Sequence, residues 1–399
     1  MSTVKTETSS SGDARRRLRV AIAHVRLGWG GSEKRVLWGV QALKKRHDVT
    51  LITAGNYDLQ ALNQYYGTEL KPDDFSAIQV PLPFFMRDNG RMAALRGALF
   101  QRFCRKIAAD YDVLISGYGP TDFGRPAIHF IADFSWDREL REALHPYPTG
   151  LIYHNQWLRK AYLGLATSLA KPSGRDLFSG QDLMLSVSPW VAREMKSRYG
   201  VKSPVLPSPV PGEFPVIPWE NKQPGFVCLG RLAPEKRVED TIEILRRVRA
   251  KGHDIHLHIV GDGDNLAYLA LLNNLVAEHQ DWVSTEGRLQ GEKKYALLSQ
   301  HAFGIHACRG DAFPGVLIEM MKAGCVVWAH NSGGQPDILE TPHLLYEDVE
   351  DAVDKIDHLL CDKDLLLRTQ EELRLLVGKF SVEQYMNEIQ DIVEDWGRD

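Results

Sequence analysis

Residues 303–339 read FGIHACRGDAFPGVLIEMMKAGCVVWAHNSGGQPDIL, and their order decides the fold. An apolar run is followed by a turn with Gly310, Asp311 and Pro314, a helical segment, a second apolar run and a Gly-Gly loop. Strand, turn, helix and strand in that order outline a nucleotide site. Proline near the first helical position suits a helix start. The free amides around Gly315 and Val316 then point back into the turn, where a phosphate could sit. Asp311 and Glu319 stand eight positions apart, in the turn and one helical turn further on. Carboxylates so placed can accept hydrogen bonds from sugar and ribose hydroxyls. The same spacing also fits an exposed turn aspartate and a solvated helix glutamate.

Upstream, the apolar run FVCLG (226–230) leads into GRLAPEKR, with Gly230 at the join and Arg231 and Lys236 five positions apart. When a nucleoside diphosphate departs from a sugar, negative charge grows on its terminal phosphate. Fixed cations aimed there favour the transition state over the ground state. Arginine grips a pyrophosphate with its fork, and lysine acts as a point charge. A solvated basic loop is the plainer alternative. The DGD at 262–264 follows the apolar run IHLHIVG and reads as a turn former. His306 and Cys308 lack the second Cys/His pair of a metal site.

FVCLG, IHLHIVG, FGIHA and CVVWAH alternate with helical stretches such as TIEILRRVRAKG, which predicts a parallel sheet covered on both faces. The first half does the same. RVAIAHV (19–25) is followed by LGWGG and the helical SEKRVLWGVQALKKR. Further strands are expected at 49–55, 111–116 and 126–131, with an irregular polar stretch to about residue 78. In DLMLSVSPWVAREMKSRYG (182–200), Ser188 can cap a helix that has Pro189 at its first position. Gly30 and Gly31 give a turn without Cβ atoms, open either to close ligand approach or to tight turning alone. Glu33 stands where a dinucleotide fingerprint has its third glycine. The proline-rich VLPSPVPGEFPVIPWENKQPG marks a linker, with a boundary near 207–222.

A chain of 399 residues is long enough for two or three domains. A net charge of -4 argues against a bulk nucleic-acid binder. Five scattered cysteines without C-x-x-C spacing point to a reducing, cytoplasmic compartment. An apolar run near 18 residues is absent, so a transmembrane helix is not expected. Residues 82–106 combine Phe84, Phe85 and Met86 with Arg87, Arg91, Arg96, Arg102, Arg105 and Lys106 against Asp88. Such a segment either rests on an anionic membrane surface or is a core-facing helix with a charged outer side.

The motifs GGSEKRVLW, GRLAPEKR, EGRLQG and the 310–334 stretch occur together and in order, and with them the chain resembles the retaining family 4 glycosyltransferases. Asp311 and Glu319 correspond to that family's E-x7-E signature, with aspartate for the usual first glutamate. Pro314 stands where glycine is frequent. The tail AHNSGGQPDIL is similar to the branch that adds α-1,2-mannose to the dolichol-linked oligosaccharide.

The resemblance implies an α/β GT-B fold, two Rossmann-like parallel-sheet domains facing a central cleft. Residues 1–17, rich in Ser, Thr and charge, read as a disordered tail; the resemblance then makes 18–210 an acceptor domain, 211–380 a donor domain, and 381–399 a helix packing back on the first domain. It implies Arg231 and Lys236 on the departing diphosphate, Asp311 on the sugar hydroxyls, and His129 beside the reacting sugar, with His154 as the nearby alternative. A histidine in an apolar strand is otherwise a satisfied core residue. Glu319 would hold the ribose, and the backbone around Arg288 the base. Gly30, Gly31 and Gly230, with the turn Phe313, Pro314, Gly315 and Val316, would line the donor.

The expected partners are a GDP- or UDP-linked sugar and a glycan or lipid-linked acceptor, with no metal, no other cofactor and no nucleic acid. Mannose from GDP-mannose is the first reading. A UDP-sugar with a soluble acceptor, a non-catalytic sugar-nucleotide binder and an NAD-dependent dehydrogenase are the alternatives. The last lacks a full G-x-G-x-x-G after the first strand.

Overall fold

A computed structural model describes residues 16–83, 86, 92–137, 139–140 and 156–398. Of the positions singled out above, residues 1–15, Phe84, Phe85, Arg87, Asp88, Arg91 and His154 lie outside the described residues.

The apolar runs of the first half become β1 (Arg19–Ala23), β2 (Asp48–Thr53), β3 (Ser76–Gln79), β4 (Val113–Ser116), β5 (Ile128–Ile131) and β6 (Leu183–Ser186). They form one parallel sheet in the order β3-β2-β1-β4-β5-β6. The second half repeats the plan with β7 (Gln223–Leu229), β8 (His256–Val260), β9 (Val283–Gly287), β10 (His301–His306), β11 (Val326–His330) and β12 (Leu345–Tyr346). Their order is β12-β11-β10-β7-β8-β9, again parallel. Counted from its own first strand, each sheet runs in the same Rossmann order and reverses direction between its first and fourth strands. Such reversal points open a crevice beyond the carboxyl ends of the strands. Here there are two, between β1 and β4 and between β7 and β10.

The helices are α1 (Gly31–Leu43), α2 (Leu59–Tyr66), α3 (Ala93–Ile107), α4 (Gln156–Ala170), α5 (Pro189–Tyr199), α6 (Val238–Ala250) and α7 (Leu266–Glu278). They continue with α8 (Gly291–Gln300), α9 (Gly315–Lys322), α10 (Gln335–Leu339), α11 (Val349–Cys361), α12 (Lys363–Leu376) and α13 (Val382–Trp396). Residues 303–339 thus fold as β10, a turn, α9, β11 and the loop into α10. Ser188 caps α5, accepting from the Val191 amide with Pro189 in the first turn. The stretch expected to be irregular up to residue 78 contains α2 and the edge strand β3 instead.

One core fills the second domain around Phe226, Ile305, Leu317 and Trp328. The first domain's main core, around Ile22, Leu37, Val40 and Ile115, also takes in Tyr385, Ile389 and Val393 of α13. The Tyr385 hydroxyl donates to the Arg35 carbonyl at 2.7 Å, and Arg46 pairs with Glu394 at 2.9 Å. Each fully buried aliphatic side chain contributes about 1.5–3 kcal/mol.

The described part of the 82–106 segment is a core-facing helix with a charged outer side, the second of the two readings. Leu95, Ala98, Phe100 and Cys104 are buried, and α3 packs on α4. Arg96 donates to the Met86 carbonyl at 3.1 Å, and Arg105 to Asp122 and the Ala170 carbonyl. Arg102 and Lys106 remain on the surface. Arg16 and Arg17, at the end of the expected tail, are held by Asp112 at 3.1 Å and Asp48 at 2.5 Å. Among the described residues no helix is long and apolar enough to cross a membrane. Cys104, Cys228, Cys308 and Cys325 are buried free thiols, and Cys361 is exposed.

Candidate active site

The two reversal points face each other across a cleft of about 900 Å³. Loops leaving β1, β4 and β5 supply one wall, and those leaving β7, β8, β9 and β10 the other. Gly30, Gly31, Gly230, Arg231, Lys236 and Arg288 all line it. So do Asp311, Phe313, Pro314, Gly315, Val316 and Glu319.

Asp311 is fixed from three sides. Its Oδ1 accepts from the Phe313 amide at 3.3 Å, within its own turn. Oδ2 lies 2.5 Å from Lys236 Nζ and 3.5 Å from His306 Nε2. The Gly-Gly loop beneath lets this turn settle backbone to backbone. A Cβ on Gly334 would stand 2.3 Å from the Ala312 carbonyl oxygen, and one on Gly333 2.5 Å from that of Asp311. The Gly334 amide donates to the Asp311 carbonyl at 2.8 Å, and the Ser332 hydroxyl accepts from the Gly310 amide at 2.9 Å. The sequence NSGG therefore acts as the floor of the Asp311 turn.

Burial alone would raise the Asp311 pKa, but Lys236 and His306 outweigh it and hold the carboxyl far below the usual carboxylate range. Burial likewise works against the Lys236 ammonium, and Asp311 overcomes it, raising the lysine above its ordinary value. Lys236 Nζ is also 3.6 Å from Cys308 Sγ. Burial pushes that thiol up to about 12, so it is not a thiolate nucleophile near neutral pH. His306, Cys308 and Asp311 together could hold a metal ion, and the Lys236 ammonium stands against that same group.

Glu319, on α9, pairs with Lys294 of α8 at 2.9 Å. Arg231 is exposed and paired with Glu235. The Arg288 guanidinium reaches across the cleft and lies 5.0 Å from the Trp29 ring centroid and 5.3 Å from that of Tyr65. Tyr66 donates its hydroxyl to the carbonyls of Gly28 and Gly30, at 2.7 and 2.9 Å, bracing the first glycine loop.

Three helices open onto the cleft without a side-chain cap: α1 after Gly30, α8 after Gln290 and α9 after Pro314. Each begins with glycine. Asp58, Ser188, Asn265, Asp348, Asp362 and Ser381 cap their helices, whereas α3, α6 and α10 also lack a side-chain cap. Uncapped amides at a helix start are donors directed at an anion.

His129 is not brought to the cleft, which corrects its placement beside a reacting sugar. It is fully buried in the middle of β5, with Nε2 3.1 Å from Asp182 Oδ1 and Nδ1 accepting from the Thr121 amide at 3.3 Å. Strand residues that reach the cleft are the last of their strands, as are Leu229, Val260 and His306, and His129 lies two residues before the end of β5. Asp133, just past that end, does line the cleft and accepts from the Tyr118 hydroxyl at 2.7 Å. The strand-end rule would have pointed to Asp133.

Sequence reading also missed Lys34 and Lys294. Lys34, half-buried at the start of α1, faces α9 of the other domain, and a methyl on Gly315 would lie 3.4 Å from its Nζ. Burial lowers its pKa to about 8, with Lys294 and Lys322 adding to the effect and Glu319 opposing it. Only the pairing of two domains places Lys34 there.

Two Rossmann-like sheets across one cleft define the GT-B class of transferases. Residues 29–211 match the family described as Glycosyltransferase Family 4, and residues 223–362 that described as Glycosyl transferases group 1. Most of the chain is thus the two successive domains of a GT-B glycosyltransferase. Over 182 residues it is 26% identical to the GDP-Man:Man(3)GlcNAc(2)-PP-Dol alpha-1,2-mannosyltransferase of Xenopus laevis, which is 42% of this chain and 37% of that protein. Among solved structures, sucrose-phosphate synthase from Thermosynechococcus elongatus superposes with a TM-score of 0.69 at 16% identity, covering 95% of this chain and 99% of the other. Anabaena HepE in complex with UDP and glucose gives 0.65 at 14% identity, covering 95% and 100%. These structural likenesses establish the fold.

Proposed function

We propose that the chain is a retaining glycosyltransferase that moves a hexose from a nucleotide sugar to a glycan or lipid-linked acceptor without a metal ion. The observation that carries this reading is that Arg231, Lys236 and the uncapped start of α9 line the same cleft. Two cations and free helix amides there suit a departing diphosphate. Glu319 takes the ribose and Asp311 the sugar hydroxyls. As the bond from the anomeric carbon to the phosphate oxygen breaks, its electron pair goes to the phosphate. The acceptor oxygen bonds to the anomeric carbon from the same face, and its proton passes to the departing phosphate. Configuration is retained, and Lys236 supplies charge that a metal supplies in other transferases.

Mannose from GDP-mannose is the preferred donor, supported by the tail AHNSGGQPDIL and the likeness to the frog mannosyltransferase. Calorimetric titration with GDP, UDP and ADP tests this. Selective GDP binding, weakened by Glu319→Ala, is the expected result; selective UDP binding overturns the mannose assignment and keeps the transferase. Lys236→Ala is expected to lower turnover about 100-fold, as loss of an oxyanion donor does. Unchanged turnover in that variant would remove Lys236 from the chemistry.

A further inference from the structure

At the amino ends of the second sheet's strands, the side away from the cleft, three histidines meet. His256 opens β8, His258 follows on the same face, and His301 opens β10. Their ring centroids are 5.1, 5.3 and 4.4 Å apart, and one nitrogen from each lies within 4.8 Å of the other two. β7 runs between β8 and β10, and at the crossing it carries Gly225. A Cβ there would sit 2.2 Å from His256 Nε2 and 2.6 Å from His301 Cδ2. The missing side chain is the space in which the two rings face each other.

On two of the rings the other nitrogen is already assigned. His301 Nδ1 is 2.6 Å from the Leu297 carbonyl oxygen, so it carries the proton and donates. His258 Nδ1 is 2.7 Å from Glu286 Oε1 and 2.9 Å from Ser284 Oγ. Donation to a carboxylate at Nδ1 leaves the Nε2 lone pair free, the arrangement that orients histidines bound to metals. His301 is 1% exposed, and its Nε2 is buried without a hydrogen-bond partner.

We propose that His256, His258 and His301 form a binding site for a zinc-class divalent cation, ligated through imidazole nitrogens and supported by Glu286. Zinc takes nitrogen ligands at about 2.0–2.1 Å in tetrahedral array, which puts the nitrogens about 3.3 Å apart. The ring nitrogens stand up to 4.8 Å apart, so binding would require them to draw together by up to about 1.5 Å. Half-buried His256 and His258 leave a fourth position open toward water. The cation would tie β8 to β10 across β7 without touching the cleft.

The test uses the untagged full-length protein, first stripped with chelator, titrated with Zn²⁺ alone at pH 7.5. One equivalent bound is expected. Glu286→Gln should weaken binding about 10- to 100-fold, and His256→Ala or His301→Ala at least as much. Gly225→Ala, which keeps all three ligands, should weaken it too. X-ray absorption of the zinc-loaded wild type should show imidazole scattering and no sulfur ligand, and this reading does not depend on any variant folding. No zinc bound by the wild type, a sulfur ligand, or binding unchanged in His256→Ala and His301→Ala would each overturn the site.

Discussion

Lys34 is a lysine whose charge is set by what lies opposite it. Free, it titrates at about 8, because burial and two neighbouring lysines disfavour the ammonium. A bound diphosphate favours the charged amine and raises that pKa, so the complex holds more protons than the free protein. Binding near pH 8 should therefore take up protons, seen by calorimetry in two buffers of different ionisation enthalpy. Affinity should fall as pH rises above 8, by up to about tenfold per unit, and Lys34→Met should flatten the profile. His129 makes the opposite case. Its replacement by Leu should lower stability by about 1–3 kcal/mol, because Asp182 keeps its burial and loses a partner. Turnover per folded molecule should change less than about threefold, since His129 touches nothing in the cleft. An apolar strand flanking a histidine looks the same in sequence whether the ring faces substrate or core. Asp182, which settles the matter, is 53 residues away.

Among the elements, legibility followed burial. Strands enclosed on both faces, such as β1, β4, β10 and β11, read as apolar runs. β3, β9 and β12 are sheet-edge strands that escaped notice, whereas the edge strand β6, buried over three of its four residues, did not. SAIQ buries no residue and VSTEG only Val283, and β12 has only two residues. α2 buries little beyond Leu62 and Tyr66, too short a stripe to stand out. The cleft loops were legible through motifs that carry glycines and charges at fixed offsets. Lys294 was not, since only Glu319, from another helix, gives it a role. The Gly-Gly loop yields a test at this scale. Gly334→Ala puts a methyl against the Ala312 carbonyl, and its φ of -90° is ordinary, so the damage is crowding of the Asp311 turn. Destabilisation of about 1–3 kcal/mol is expected by thermal melting, together with weakened donor binding.

At the scale of the molecule, the domains are joined by side chains as well as by the linker. Asp337, in the first turn of α10, accepts from the Trp190 amide at 2.6 Å and from Arg193 at 3.1 Å. One domain thus supplies a carboxylate to the start of the other's helix α5. Asp337→Ala should loosen this closure, giving a larger radius of gyration by small-angle scattering and a several-fold higher KM for donor. The helix α13 is coupled more tightly, and Ile389→Ala should cost about 3 kcal/mol. That helix also imposes an order on the life of the chain. Tyr385, Ile389 and Val393 complete a core begun by β1 and α1, yet a ribosome makes them only after the whole second domain. During synthesis the first domain must wait with part of its apolar surface uncovered. A nascent chain stalled before residue 381 would therefore be a better client for a chaperone than the finished protein.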